Sequence, residues 1–392
     1  MKSPLADRVA RIKPSVTLAI TARANQIRAE GGDILSLAAG EPDFDTPEHI
    51  KEAAIAAMQA GKTKYTPVSG TVSLKQAIVE KFKRDNQLHY EMNEVMVSNG
   101  GKQVFYNLCQ AILNAGDEVL IPAPFWVSYP DMVLLADGSP IIIPSNDENG
   151  CKITAADLEN AITDKTKLFV INSPSNPSGI GYNEDELAEL GHVLEKNKQI
   201  HIVTDDIYEH IMFRGQKFVN ILNTTPSLKN RTLVLNGVSK VYSMTGWRIG
   251  YAAGPSFIIK AMIDIQSQST SNPSSISQAA AEAALIGNQS CVVTMCNAFE
   301  ERHDYIVKAL NEIDGVHCLP SDGTFYCFPN VAGLIEKISG VADDVEFAEY
   351  LLNETGIAVV PGSAFGLAGH LRISFATSMD ALQKAITRLK AL

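Results

Sequence analysis

The sequence contains no apolar run that approaches the ~20 residues needed for a membrane-crossing helix. Its opening residues, Met1–Arg8, lack the apolar core of a secretory signal peptide. The six cysteines show no Cys-x-x-Cys spacing. This favours free thiols in a reducing compartment over metal-binding cysteines or disulfides. We therefore expect a cytoplasmic protein without a membrane segment.

Positive charge is also scarce: 33 Lys and Arg oppose 44 Asp and Glu, for a net charge of -11. This balance argues against nucleic acid or an anionic membrane as a partner, and acidic substrates would need local cationic pockets. The sequence shows no internal repeat. At 392 residues it is too long for one ordinary core, so two domains are expected.

What the sequence does contain is a lysine in an unusual setting. The apolar run Thr232–Leu235 predicts a buried strand, and Lys240 follows it between Val238 and Val241. A lysine held away from water has a lowered pKa and can attack carbonyl groups, as Schiff-base formation requires. Arg248, eight residues further on, is placed to bind a phosphate.

Apolar strands and helical segments alternate through the first two thirds of the chain, which predicts an α/β fold with a mostly parallel sheet covered on both faces. Ligands of such sheets collect beyond the carboxyl ends of the strands. The predicted strands are residues 34–37, 94–97, 118–121, 167–171, 200–204 and 232–235, and the predicted helices 47–60, 72–86, 102–115 and 184–197.

The last third of the chain has a different pattern. Residues 256–288 read as helical with a polar break at 267–277, and a helix over 292–313 leads to a smaller α+β domain. Strands are predicted there at 324–328, 357–360 and 371–375, before a closing helix. The expected division is 1–47 as an N-terminal arm and part of the small domain, 48–290 as the large domain, and 291–392 as the small domain.

Ser239-Lys240, followed by Met244-Thr-Gly-Trp-Arg248, resembles the cofactor-lysine segment of class I aminotransferases, which use pyridoxal 5'-phosphate. The resemblance covers nearly the whole chain, with several motifs in the family's order. It implies fold type I and a ping-pong exchange between amino acids and keto acids, in which Lys240 binds the cofactor and moves the Cα proton.

Residues after two other strands match the family's contacts to the cofactor ring. Asp205 ends a strand, and a carboxylate there can keep the pyridine nitrogen protonated. Tyr208 and Asn176 can donate to the phenolic oxygen of the ring. The segment Ser173–Gly179 departs from the family's Asn-Pro-Thr-Gly pattern only in having Ser178, which keeps the hydroxyl.

Other residues match the family's contacts to the phosphate of the cofactor and to the face of its ring. Backbone N–H groups of Gly101 and Lys102, at the start of a helix, are expected to bind the phosphate together with Arg248. Trp126 matches the aromatic residue that stacks on the ring, although core packing is the alternative. Tyr65 resembles a tyrosine that reaches the phosphate of the neighbouring subunit, which implies a homodimer with shared active sites.

The substrate's carboxylate has a candidate partner in Arg372, a charge inside the apolar strand 371–375. A planar guanidinium binds a carboxylate through two hydrogen bonds; the alternative is a structural ion pair. Gly40 is expected to offer a backbone contact to the same carboxylate, and Trp126 and Asn176 to contact substrate as well.

Two other possible sites are rejected. Asp205, Asp206, Glu209 and His210 could suggest a metal site, but Asp206 and Glu209 are interpreted as polar residues at a helix start, so no metal is expected. The segment Gly61-Lys-Thr63 resembles the end of a phosphate-binding loop. It is rejected because position 56 is Ala and no strand precedes it.

The resemblance is strongest to aspartate aminotransferases, some of which also convert prephenate to arogenate. The larger aspartate enzymes bind the distal carboxylate with an arginine from the 267–277 region, which has none here. Lys102 and Lys13 are the candidates in its place. The alternatives are another fold type I enzyme, such as an aromatic or alanine aminotransferase or a β-lyase, or a non-catalytic regulator.

Overall fold

The computed structural model describes residues 5–14 and 16–392. Residues 1–4 of the predicted N-terminal arm, and Ser15, lie outside them. The helices are α1 Asp7–Arg11, α2 Val16–Ala29, α3 Glu48–Gln59, α4 Val72–Asn86, α5 Gly101–Ile112, α6 Ser128–Leu135, α7 Ala155–Ala161, α8 Glu184–Lys196, α9 Ile221–Thr224, α10 Ser256–Ser269, α11 Ser275–Ile286, α12 Ser290–Asn311, α13 Ala332–Ile335, α14 Asp344–Tyr350 and α15 Met379–Leu389.

The strands are short, as is usual for sheets of this kind. They are β1 Leu35–Ser36, β2 Val95–Ser98, β3 Glu118–Pro122, β4 Ser139–Ile143, β5 Thr166–Asn172, β6 His201–Asp205, β7 Thr232–Gly237, β8 Gly250–Ala253, β9 Tyr326–Cys327, β10 Ile357–Ala358, β11 Val360–Pro361 and β12 Leu371–Ser374. Single 3₁₀ turns occur at Met92–Glu94, Pro226–Arg231, Thr245–Trp247 and Gly362–Phe365, and a π turn at Leu351–Thr355.

Seven strands form one sheet in the order β2-β8-β7-β6-β5-β3-β4. Only β8 runs against its neighbours, so the prediction of a mostly parallel sheet is confirmed. The sequence analysis missed β8, since its Gly and Ala residues have low strand propensity and pairing with β2 and β7 holds them extended. It also missed α6, β4 and α7.

Helices cover both faces of this sheet. Within β5, Phe169 and Ile171 pack in a core with α3, α4, α8 and α11. Leu168 and Val170, on the opposite face, pack in a second core with α5, α6 and α10. Side chains of a strand alternate between faces, which explains why these strands are apolar at every position. Fully burying each such side chain contributes about 1.5–3 kcal/mol.

The remaining strands form two small sheets. Strand β12 lies between β11 and β9 with antiparallel pairing, and β1 pairs with β10 in parallel. Residues of α12, α14 and α15 share a separate core with β9, β10 and β12. Through β1, the N-terminal segment is therefore joined to the C-terminal part of the chain.

Several predicted boundaries were wrong by a few residues. The 324–328 strand is paired only over Tyr326–Cys327, because Thr324 has a φ of 68° and cannot continue a ladder. The polar break near 267–277 is shorter, since α10 continues to Ser269 and α11 begins at Ser275. Ser267 and Ser269 bond back to helix carbonyl groups, which accommodates them within α10.

The interpretation of Asp206 and Glu209 as polar helix-start residues was also wrong. Asp206 lies in irregular backbone and residues 207–210 form a turn, and both side chains are buried. Glu209 accepts hydrogen bonds from Lys81, from Asn86 (2.5 Å) and from Asn236 (2.7 Å). Burial alone would raise the pKa of Glu209, but the Lys81 charge, His210 and the hydrogen bonds from Asn86 and Lys81 together hold that pKa below its usual value. An ion pair thus connects α4 to the turn after β6.

None of the helices among the described residues has the length and apolar character that crossing a membrane requires. All six cysteines are unpaired, as the sequence predicts.

The Lys81–Glu209 pair gives a stability prediction. Replacing Lys81 by Met should lower the free energy of unfolding by about 3–5 kcal/mol, because it leaves a buried carboxylate without its counterion. Urea unfolding followed by circular dichroism measures the change. Lys83→Met is the matched control, since Lys83 lies on the same helix and is exposed. Equal stability of the two variants would contradict the prediction, whereas adding Glu209→Gln to Lys81→Met should restore part of the loss.

Candidate active site

All the predicted site residues except Tyr65 and Lys13 line one cavity of about 420 Å³. This volume lies within the usual range for small-molecule sites. The cavity opens beyond the carboxyl ends of β5, β6 and β7, where parallel sheets bind their ligands. The predicted residues that line it are Gly40, Gly101, Lys102, Trp126, Asn176, Asp205, Tyr208, Lys240, Arg248 and Arg372.

Lys240 lies three residues after the end of β7. Its ammonium donates to the Gly40 carbonyl oxygen (2.5 Å) and lies 5.9 Å from the centre of the Phe325 ring. Burial and the Arg372 charge together lower the pKa of Lys240 to about 8. A sizeable fraction of this amine is therefore neutral and nucleophilic near physiological pH.

Asp205 is the last residue of β6 and is buried. Asn172, at the end of β5, donates to its backbone carbonyl group (2.8 Å), and the Ile207 N–H donates to its Oδ1 atom (3.3 Å). Burial raises the pKa of Asp205 to about 6. A carboxylate in this setting suits a protonated ring nitrogen, whose charge would favour the ionised form.

Tyr208 extends from the turn after β6 into the same cavity. Its hydroxyl donates to the hydroxyl of Tyr326 (3.2 Å). Burial, first, and the nearby Tyr326 hydroxyl raise the pKa of Tyr208 well above its usual value. Tyr208 therefore stays protonated and remains a hydrogen-bond donor.

Arg372 is buried in β12 beside the cavity. It donates to the Asn176 side chain (3.0 Å) and to the Ala38 carbonyl oxygen (2.8 Å). Its guanidinium lies 4.6 Å from the centre of the Tyr326 ring. Its Nε atom is buried without a partner, and in the described part of the chain no carboxylate lies within ion-pair distance of it. The alternative of a structural ion pair is therefore wrong.

The start of α5 and Arg248 form a cradle for an anion. Gly100 precedes α5 with a φ of 89°, and a Cβ atom there would collide with the Arg248 guanidinium. Arg248 itself has a φ of 56° and donates to the Thr245 carbonyl oxygen (2.8 Å). The first N–H groups of a helix, Gly101 and Lys102 here, have no partner within it and attract phosphates.

Trp126 is half-buried and lines the cavity, so it is not a core residue alone. The Lys102 ammonium lies 5.2 Å from the centre of its ring. Partial burial and the nearby Arg248 charge lower the pKa of Lys102. The cavity thus has an aromatic wall next to a cation that makes no ion pair in the described structure.

Two predicted residues lie outside this cavity. Tyr65 is 94% exposed. The Lys13 backbone donates to Asp131 on α6 (3.3 Å), and its side chain is exposed. Both positions are open to a neighbouring molecule, and their roles remain predictions.

A second group with metal-ligand atoms consists of Asp147, Cys151 and His370, which lie within 4.8 Å of one another. Asp147 contacts His370 (2.8 Å) and accepts from Asn330 (2.8 Å). The hydrogen bond with His370, more than any other contact, lowers the pKa of Asp147 to about 2. These contacts satisfy the ligand atoms, and they join the loop after β4 to the residue that precedes β12 by hydrogen bonds.

The sequence analysis missed Asn172 and Tyr326, which line the cavity, and Tyr129, which contacts Asp205 but is not one of the lining residues. Tyr129 donates to the Asp205 carboxylate (2.5 Å), Tyr326 stacks on Arg372, and Asn172 anchors the Asp205 backbone. Tyr129 and Tyr326 stand within apolar or aromatic runs that predict core packing. Asn172 could have been recognised as a candidate site residue from the sequence, because it is a polar residue at the end of an apolar strand.

Comparisons with known proteins agree with this geometry. The family model "Aminotransferase class I and II" matches residues 32–389. An aspartate/prephenate aminotransferase of Nitrosomonas europaea is 57% identical, over 99% of both chains. The aspartate aminotransferase structure from Rhizobium meliloti has a TM-score of 0.96 at 47% identity, covering 99% of this chain and 98% of its own. That from Thermus thermophilus with maleate has a TM-score of 0.93 at 41% identity, covering all of both chains.

The effect of Arg372 on Lys240 can be tested in the cofactor-free protein. Reductive ¹³C-methylation followed by NMR should show Lys240 titrating near pH 8, the amine being neutral above that pH. In Arg372→Gln the midpoint should move upward, because loss of a nearby cation favours the protonated amine. Arg231→Gln, far from the cavity, is the control. An unchanged Lys240 midpoint in Arg372→Gln would refute this electrostatic coupling.

Proposed function

We propose that the chain, which belongs to the aminotransferase class I and II family and is an aminotransferase of fold type I, transfers the amino group of aspartate to 2-oxoglutarate with pyridoxal 5'-phosphate as cofactor. Prephenate is proposed as a second amino acceptor. The observation that carries the proposal is the buried Arg372 guanidinium, which lacks an anionic partner and lies beside the same cavity as the Lys240 amine.

The cavity offers a partner for each polar part of this cofactor. Gly101, Lys102 and Arg248 would hold the phosphate, Asp205 the ring nitrogen, and Tyr208 and Asn176 the phenolic oxygen. Trp126 would lie against the ring. The chemistry that the bound cofactor supplies is an aldehyde for an amine to attack and a cationic ring that accepts electrons when the substrate's Cα loses its proton.

The chain's own residues position the substrate and move its proton. Arg372 would bind the α-carboxylate through two N–H groups, since only an anion can neutralise its buried charge. Asn176 and the Gly40 backbone border the same position. The Nζ atom of Lys240, neutral above about pH 8, takes the proton from the substrate's Cα as a general base. Kinetics should be ping-pong.

Specificity for a dicarboxylate requires one more cation. With Arg372, Arg248 and Lys240 assigned, Lys102 is the remaining cation that lines the described cavity, and we propose that it binds the distal carboxylate. Lys13 is proposed to affect prephenate. The names of the Nitrosomonas relative and of the maleate-bound Thermus structure support this choice, since aspartate, prephenate and maleate all carry two carboxylates.

We also propose the division into 1–47, 48–290 and 291–392, which the separate sheets and cores support. A homodimer is proposed because the exposed Tyr65 is free to reach a neighbouring subunit. The unpaired cysteines support a cytoplasmic location.

Lys240→Ala should abolish turnover and the visible absorption of the lysine-bound cofactor, because no other described amine of the cavity lies beside Asp205 and Arg372. Stopped assays with aspartate and an absorption spectrum of the purified protein measure both. Lys260→Ala, at a lysine that is 80% exposed, should behave as wild type. Normal activity in Lys240→Ala would overturn the proposed function.

Substrate choice is tested with a panel of amino donors and keto acids that includes aspartate, alanine, aromatic amino acids and prephenate. Lys102→Ala should raise the KM for aspartate by about tenfold or more, since it removes a charged hydrogen bond, with a smaller effect on alanine. Lys13→Ala should affect prephenate most. A preference for alanine or aromatic donors, or unchanged kinetics in both variants, would refute the substrate assignment.

A further inference from the structure

Tyr129 makes the shortest side-chain contact to Asp205 among the described residues. Its hydroxyl donates to Asp205 Oδ2 at 2.5 Å, and the tyrosine is 1% exposed. It lies in the first turn of α6, on a different element from Asp205, so the contact depends on the packing of α6 against the sheet. The proposed function gives this residue no role.

The Tyr129 ring has little freedom to leave this position. Its centre lies 4.8 Å from that of Phe105, in a tilted arrangement, and 5.2 Å from that of Trp126, which meets it edge to face. Aromatic contacts of these geometries are favourable. The hydroxyl is therefore held at one place by side chains from α5 and from the loop before α6.

The two oxygens of Asp205 are used unequally. Oδ2 receives the Tyr129 hydroxyl, whereas Oδ1 receives only the Ile207 N–H at 3.3 Å. Oδ1 is therefore the oxygen with spare capacity for a ligand in the cavity. The backbone at Asp205 is fixed by Asn172, so rotation of the carboxylate is limited mainly by Tyr129.

We propose that Tyr129 is a positioning residue for Asp205. Its hydroxyl holds Oδ2 and favours the ionised carboxylate, which leaves Oδ1 to bind the ring nitrogen of the cofactor; this inference rests on the proposed function. Burial of Tyr129, together with the Asp205 charge, raises the tyrosine's pKa well above its usual value, so the hydroxyl keeps its proton and acts only as the donor in this pair.

The direction of the effect follows from the charges. Burial favours the neutral form of Asp205 and raises its pKa to about 6, while the hydrogen bond from Tyr129 acts in the opposite direction. Removing the hydroxyl should therefore raise the pKa of Asp205 further. A larger fraction of the carboxyl groups would then be neutral at physiological pH and would not stabilise a cationic ring.

The first experiment uses the cofactor-free protein, so that it does not depend on the reaction. ¹³C NMR of protein labelled at the aspartate carboxyl carbons, with Asp205→Asn for assignment, follows the Asp205 titration. In Tyr129→Phe the midpoint should lie at higher pH than in wild type. Tyr182→Phe is the control, because the Tyr182 hydroxyl accepts from the Ile153 N–H and lies outside the cavity. Equal Asp205 midpoints in wild type and Tyr129→Phe would overturn the proposal.

The second experiment uses the holoenzyme. Tyr129→Phe should lower kcat about tenfold, in keeping with the loss of a charged hydrogen bond, and leave the KM for aspartate within about twofold. The acid limb of its pH–rate profile should move to higher pH. A purely structural role predicts an unmoved acid limb, and that result would refute the proposal. Circular dichroism spectra should be unchanged in both tyrosine variants, which verifies the fold.

If the chain bound no pyridoxal phosphate, the proposed function would fail, whereas the NMR titration would still decide whether Tyr129 controls the pKa of Asp205.

Discussion

The buried charge of Arg372 is the constraint on which the cavity depends. A guanidinium inside an apolar strand has a high desolvation cost unless an anion or strong acceptors compensate it. Among the described residues it has two acceptors, the Asn176 side chain and the Ala38 carbonyl group, and the rings of Tyr326 and Phe365 beside it. The Nε–H group of Arg372 has no acceptor, and no carboxylate of the described residues pairs with the guanidinium, so an anionic ligand bound in the cavity would complete the electrostatic balance.

The same low-polarity surroundings have opposite effects on the pKa values of two titratable groups of the cavity. Burial disfavours charge in either sign, so it lowers the pKa of Lys240 to about 8 and raises that of Asp205 to about 6. The Arg372 charge adds to the shift at Lys240. A general base transfers protons most efficiently when its pKa lies near the working pH, and the lowered pKa of Lys240 suits that role.

Much of this arrangement could be predicted because the polar residues stand at strand ends. Asp205 and Lys240 follow apolar runs in the sequence, and parallel strands bring their carboxyl ends to one edge. Tyr129 could not be predicted, since its partner lies 76 residues away and an aromatic residue on a helix usually indicates core packing. Glu209 was interpreted wrongly for a related reason. Its counterion Lys81 lies on a helix that precedes the large sheet in the sequence, and charged residues among polar neighbours after a strand favour the interpretation as a helix start.

The contacts of Glu209 also show how the fold fixes the position of a cavity residue. Tyr208 and Glu209 are adjacent in one turn, so their side chains leave it in different directions: Tyr208 lines the cavity, and Glu209 bonds to α4 through Lys81 and to β7 through Asn236. Both bonds are charge-assisted and shielded from solvent, where such contacts are strongest. The turn that carries Tyr208 is therefore fixed to two elements of the large sheet assembly. Lys240 follows the strand that carries Asn236, so the same bond also ties the position of the amine to that of the tyrosine.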